Sequence, residues 1–165
     1  MDRIDIALLL LRLVFGVSIA LHGLNKFRSG ITGTAAWFAS IGFRWARRQA
    51  ITAATTEIVA GILLVLGLLD GPAVAALIAL MVVAIATVHW KVGFFIFLPN
   101  GGWEYCASIA AVGAALALTG PGRVAVDETI GSGWTSGPWW IVVGVAAALC
   151  HLSVCWRPSS TKPSA

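Results

Sequence analysis

The chain has 165 residues, of which 59% are hydrophobic and 11% are charged, and its formal net charge is +4. At a mean hydropathy of +0.90 it has too few polar side chains to cover a soluble globular domain. Most of its basic residues lie in one segment, a pattern that fits orientation in a bilayer and disfavours nucleic acid as a partner. The composition therefore predicts an integral membrane protein in contact with lipid.

Five apolar runs follow one another along the chain. They are, roughly, Ile4–Leu24, Ala50–Leu69, Ala73–Trp90, Tyr105–Leu118 and Trp140–Cys155. About 20 helical residues cross a hydrocarbon core of about 30 Å. The first three runs reach this length or nearly so, and the last two need flanking residues. We expect an all-α membrane protein, a four-helix transmembrane bundle with a fifth, C-terminal transmembrane helix.

The first connection, Lys26–Gln49, contains the apolar segment Ile31–Phe43, which is too short to span. Such a segment is typical of a short interfacial or re-entrant helix packed over a bundle. The connection Trp90–Glu104 is similar, and we expect its phenylalanines to dip toward lipid.

The tryptophans give a second, independent indication of the topology. All eight fall at the ends of apolar runs or between them: Trp37, Trp45, Trp90, Trp103, Trp134, Trp139, Trp140 and Trp156. Indole is amphipathic and prefers the headgroup level, so this distribution predicts an aromatic belt.

Five crossings place the first connection, the third connection and the C-terminus on one side, here called face B; the opposite side is face A. The basic residues expected on face B are Lys26, Arg28, Arg44, Arg47, Arg48, Lys91, Arg157 and Lys162. The positive-inside rule then predicts that face B is the cytoplasmic side of a plasma (inner) membrane, with the N-terminus outside. If one short run does not span, the C-terminus changes side.

Ionisable residues inside a bilayer are costly, and they often mark functional sites. Four of the predicted helices bring such residues to the face-B leaflet, where Trp90 adjoins them. The candidate cluster is His22, Lys26, Glu57, His89, Trp90, Glu104 and Tyr105. The convergence of four helices on one leaflet favours a functional site, because it is more than fixing the register between helices requires. No catalytic residue can be assigned.

Arg12 and Glu57 are the strong base and the acid that lie well inside apolar runs, so we expect them to pair. Two interpretations of the pair stay open, a functional one and one in which it only fixes the register between helices. His151 is interpreted as a satisfied helix histidine. The spacing of the three cysteines indicates neither a disulfide nor a metal site, and nothing indicates bound haem.

Several segments occur in an order that is similar to a known family. They are Leu10–Leu13 with Gly16, His22-Gly23 and Lys26, Gly33–Gly42, Glu57 with Gly61, His89-Trp90 with Gly93–Phe95, Gly101–Tyr105, and Gly120–Arg123. Together they resemble the DoxX/DoxD-like membrane proteins over roughly residues 7–127. The segment Phe43–Trp45 lacks the proline usual there, so the second helix is expected to begin earlier.

The resemblance implies a four-helix membrane bundle over residues 1–127, and residues 128–165 would add the extra transmembrane helix and a short polar tail. Some members of this family are subunits of quinone-linked oxidoreductases, including thiosulfate-oxidising ones, and others are accessory proteins. We therefore expect a small subunit of a membrane oxidoreductase or respiratory-type complex, with a quinone pocket and no evident intrinsic cofactor. The alternative is a non-catalytic accessory or assembly subunit in a larger complex. A transporter is a weaker alternative because no inverted repeat is visible.

Overall fold

The computed structural model describes residues 2–132 and 136–158, so Trp134, Lys162 and most of the predicted polar tail lie outside it. The described chain forms seven α-helices and no β-strand. They are α1 (Arg3–Arg28), α2 (Ile31–Ser40), α3 (Ala46–Leu66), α4 (Asp70–Ala84), α5 (Glu104–Thr119), α6 (Val126–Ile130) and α7 (Trp139–Cys155). Helix α4 continues into a π-helical turn, Ile85–His89.

Three helices are long and apolar enough to cross a membrane: α1, α3, and α4 together with its π-turn. Helices α5 and α7 are equally apolar but have only 16 and 17 residues. The predicted all-helical membrane protein is confirmed at this level. Helix α3 begins at Ala46, four residues before the apolar run, as the missing proline implied.

Glycines bring the backbones of α1 and α3 into direct contact. A Cβ added at Gly16 would lie 2.7 Å from the Gly61 carbonyl oxygen, and one at Gly61 would lie 2.5 Å from that of Gly16. Nearer face B, a Cβ at Gly23 would lie 2.5 Å from the carbonyl oxygen of Ala54. Small residues permit such close helix packing in membranes, and here they fix the register between the two antiparallel helices.

Helix α4 packs against α3, α5 and α7. Its Val74 and Leu77 are fully buried, and they join Ile109 and Leu116 of α5 in the hydrophobic core. The fifth helix of the prediction, α7, also packs closely on α4, because a Cβ at Gly144 would lie 2.7 Å from the Ala75 carbonyl oxygen. Helix α7 is therefore joined to the bundle through small residues.

At face A, the chain after α5 folds back over the end of the bundle. The Asp127 carboxylate accepts hydrogen bonds from the backbone N–H groups of Leu69 (3.0 Å) and Asp70 (2.9 Å), where α4 begins. The backbone N–H of Asp127 donates to the Gly67 carbonyl at 2.9 Å. Because the first N–H groups of a helix have no partner within it, Asp127 supplies the cap that Leu69 cannot.

At face B, the short helix predicted in the first connection is present as α2, which packs mainly on α3. The segment after α2 is tied to the end of α7. The backbone N–H of Arg44 donates to the Cys155 carbonyl at 2.8 Å, and that of Arg157 donates to the Gly42 carbonyl at 2.9 Å. These bonds hold the C-terminal end of α7 on the same side of the bundle as α2.

Candidate functional site

A cavity of about 560 Å³ lies in the face-B half of the protein, between α1, α2, α3, α4 with its π-turn, α5 and α7. Most of its wall is apolar, and we call it the face-B cavity. The polar side chains that line it are His22, Lys26, Gln49, Thr52, Thr56, Glu57, Thr87, His89, Tyr105 and His151. Five of the seven residues predicted as a cluster thus meet around one space, although what they do there stays a prediction.

Lys26 and Glu57 form an ion pair in the wall of this cavity, in which the ammonium group contacts both carboxylate oxygens. Their side chains are 22% and 10% exposed. The expected pairing of Glu57 with Arg12 is therefore wrong, because the partner of Glu57 is the base at the face-B end of α1.

The register of α1 against α3 explains this choice of partner. Gly23 lies beside Glu57, since a Cβ there would be 2.9 Å from the Glu57 Cβ. Arg12 instead lies beside Gly67, where a Cβ would be 1.7 Å from its Nη1 atom. Gly67 follows Glu57 by about 10 residues, or roughly 15 Å along a helix axis, so Arg12 and Glu57 are at different depths.

Arg12 belongs to a separate buried group at face A. Its guanidinium donates a hydrogen bond to the Val124 carbonyl, and it attracts the Asp70 carboxylate electrostatically. Arg12, Asp70 and Asp127 are 1%, 0% and 2% exposed. The sequence analysis did not include Asp70 or Asp127 among the candidate residues. No sequence signal marked Asp127, because the residues whose N–H groups it caps lie 57 and 58 residues earlier in the chain.

His89 and Tyr105 approach the face-B cavity from the π-turn and from α5. The Nδ1 atom of His89 lies 2.7 Å from the Gly101 carbonyl oxygen. Since a carbonyl only accepts hydrogen bonds, Nδ1 carries the proton, and in the neutral ring Nε2 is then an acceptor. The Tyr105 ring lies beside that of His22, with ring centroids 6.2 Å apart.

Two predicted site residues do not line the cavity. Trp90 is 66% exposed and stacks on Trp103, with centroids 6.1 Å apart. Glu104 accepts a hydrogen bond from the backbone N–H of Ile96 at 3.1 Å and so organises the connection before α5. They lie outside the cavity wall because nearness to His89 and Tyr105 in sequence does not make them face the same side.

His151 is a cavity-lining residue that the sequence interpretation left out of the cluster, as it also did Gln49, Thr52, Thr56 and Thr87. It lines the cavity from α7, and its ring centroid is 6.1 Å from that of Phe43. On α7, His151 follows Gly144 and Ala148 at helical spacing, and both of these small residues are buried. This face of small residues was the available signal that His151 points into the bundle.

Among residues 2–132 and 136–158, no group of three or more His, Cys, Asp or Glu side chains is placed to hold a metal ion.

Comparison with known proteins agrees with the membrane architecture. A family model described as DoxX matches residues 7–90, which span α1 to the π-turn. A Bacillus subtilis (strain 168) protein named "Putative oxidoreductase CatD" is 34% identical over 134 residues, which cover 81% of this chain and 93% of that protein. No solved structure matches the chain. The family match and this relative establish that the chain belongs to the DoxX family.

Proposed function

We propose that this protein is a small integral membrane subunit of an oxidoreductase or respiratory-type complex, and that its face-B cavity binds a membrane quinone. The cavity itself carries the proposal. Its volume of about 560 Å³ lies within the range of about 300–1,000 Å³ typical of small-molecule sites. It combines apolar walls with polar side chains from several helices, and the relative's name supports redox chemistry.

The polar lining suits the two forms of a quinone. A bound quinone would supply two-electron, two-proton chemistry. The Tyr105 hydroxyl can donate a hydrogen bond to a ring oxygen, and Nε2 of neutral His89 can accept one from a ring hydroxyl. The Lys26–Glu57 pair holds two charges in the wall without leaving either unpaired. Electrons are exchanged with a partner subunit in this proposal.

The cavity also has a side suited to an isoprenoid tail. Trp37 and Ile96 line it while 45% and 51% exposed, so its mouth is apolar and reaches the surface. In the arrangement that we propose, α1, α3, α4 and α5 form a spanning bundle over residues 1–127, and α7 is a fifth span within 128–165. Face B lies toward the cytoplasm in the plasma (inner) membrane.

Quinone binding to the purified protein in lipid nanodiscs tests this function. A short-chain 1,4-benzoquinone analogue should bind the wild type at micromolar concentrations. Tyr105→Phe and His89→Ala should each weaken binding by about tenfold, the effect of a lost hydrogen bond worth about 1.4 kcal/mol. Ser108→Ala is a matched control, because this hydroxyl lies on the same helix and bonds only to the Glu104 carbonyl.

The second candidate function is a non-catalytic accessory or assembly subunit. It is favoured by the polar contacts that join separate parts of the chain, Lys26 with Glu57 and Arg12 with Val124. In that case the wild type would not bind the quinone analogue, and the cavity substitutions would lower thermal stability and the yield of the larger complex instead.

A further inference from the structure

The end of α7 forms part of the wall of the face-B cavity. Ala147, Ala148 and His151 all line the cavity from this helix. His151 lies one turn before the C-terminal end of α7, whereas Lys26 and Glu57 approach from α1 and α3. The polar groups of the cavity thus come from separate parts of the bundle.

An aromatic wall holds the imidazole of His151. The Phe43 ring has its centroid 6.1 Å from that of His151 and stacks on Phe38 at 5.0 Å, with the planes inclined by 26°. Phe43 is only 7% exposed, and both phenylalanines line the cavity. The imidazole of His151 thus lies beside a pair of stacked aromatic rings in the cavity wall, against which a flat ring can pack.

A short antiparallel bridge between Phe43 and Trp156 locks this wall to the end of α7. Besides the two backbone bonds between Gly42–Arg44 and the end of α7, the Trp156 indole Nε1–H donates to the Ile41 carbonyl at 2.8 Å. Gly42 has φ 98°, a conformation that L side chains rarely adopt, so the turn into the bridge requires glycine. His151 and Phe43 are therefore positioned by one connected set of contacts.

We propose that His151 is a further ligand-binding residue of the cavity, whose imidazole hydrogen-bonds one oxygen of the bound quinone ring. This inference rests on the proposed function. A 1,4-quinone has oxygens at opposite edges of its ring, so partners on different helices are needed to fix both. His151 on α7 meets one oxygen, while Tyr105 on α5 meets the other. Trp156 and Phe43 act as positioning residues.

The test uses the full chain in nanodiscs and two probes, a short-chain 1,4-benzoquinone analogue and an alkylbenzene with the same tail but no ring oxygens. His151→Ala should weaken binding of the quinone analogue by about tenfold, and His151→Gln, which keeps a donor and an acceptor, by no more than about threefold. Binding of the oxygen-free probe should change much less than that of the quinone analogue, because this probe has no oxygen to bond to the imidazole.

Two further variants separate positioning from folding. Trp156→Phe keeps an aromatic ring but removes the bond to Ile41, and it should weaken quinone binding less than His151→Ala does. Ser153→Ala alters an exposed hydroxyl on the same helix and should bind as the wild type does. Thermal unfolding of each variant in the same nanodiscs checks that the fold is intact.

The outcomes distinguish the inference from the function on which it rests. If the wild type binds the quinone analogue and His151→Ala binds it equally well, the role of His151 is disproved while the quinone pocket stands. Equal losses for both probes would make His151 a packing residue and would also overturn the inference. A wild type that binds no quinone analogue removes the proposed function, and the role of His151 with it.

Discussion

Lys26 of α1 and Glu57 of α3 form an ion pair in the wall of a mostly apolar cavity, with both side chains mostly withdrawn from solvent. The pair joins the two helices beside Gly23, where the backbones of α1 and α3 make the close contact that lies nearer face B. Each charge offsets most of the desolvation cost of the other, since both side chains have little contact with water.

We predict that Lys26 and Glu57 are energetically coupled. Lys26→Leu and Glu57→Leu should each lower the thermal stability of the purified protein, because each leaves a partly buried charge alone. The double variant should recover part of the loss, with a coupling free energy of about 1–2 kcal/mol. The control is the cycle of Arg12→Leu with Glu57→Leu, whose effects should add, because those side chains do not meet. Additive losses for Lys26 and Glu57 would contradict the ion pair.

A second prediction concerns the buried face-A charges. Arg12→Leu should destabilise the protein by about 1–3 kcal/mol, because it removes the charged hydrogen bond to the Val124 carbonyl and the positive charge that attracts the buried Asp70 carboxylate. Adding Asp70→Asn should restore part of that stability, as seen by heating in detergent followed by size-exclusion chromatography. Arg3→Leu, at an exposed position on the same helix, is the matched control and should have little effect. If Asp70→Asn deepens the loss, the two charges do not compensate each other.

The glycine contact between α1 and α3 gives a third prediction. Gly61→Ala should cost about 1–3 kcal/mol, because its methyl group would lie 2.5 Å from the Gly16 carbonyl oxygen and the helices must separate. Gly33→Ala is the matched control, since no heavy atom lies within 4 Å of the added carbon in α2. That change should be neutral or slightly stabilising, because alanine favours a helix by about 1 kcal/mol over glycine. Equal melting temperatures for both variants would show that the helices are not held this closely.

The proposed orientation is tested with single cysteines in a background from which Cys106, Cys150 and Cys155 have been removed. Ser29→Cys, after α1 at face B, should react with a membrane-impermeant thiol reagent only after cells are permeabilised. Glu128→Cys, at an exposed position of α6 at face A, should react in intact cells. The reverse pattern would place face B outside.

Helix positions could be predicted closely from the sequence, because the apolar run determines which residues can cross hydrocarbon. The run Ile4–Leu24 became α1, Arg3–Arg28, which continues past the run to the exposed Arg28. Helix α3 starts before its apolar run for a related reason, since Arg47 and Arg48 are exposed and still helical. Hydropathy identifies the part of a helix that can lie in hydrocarbon, but it does not show how far the helix continues into its polar ends.

Which polar side chains meet could not be predicted from the sequence, because this depends on the register between helices and on contacts between residues distant in sequence. Arg12 and Lys26 lie on one helix, and only the glycine contacts with α3 decide which of them faces Glu57. Asp127 caps α4 from 57 residues further along the chain, beyond any local pattern. His151 likewise joins the cavity only because α7 packs on α4.

The face-B cavity ends inside the protein. Toward face A, Ile19 and Ile109 belong to its inner wall, and beyond them Leu64, Leu77 and Leu116 are fully buried. The cavity instead opens at the apolar mouth lined by Trp37 and Ile96, in the face-B half of the protein. In the proposed function a quinone would enter and leave there, from the face-B leaflet of the bilayer, without passing through the packed core.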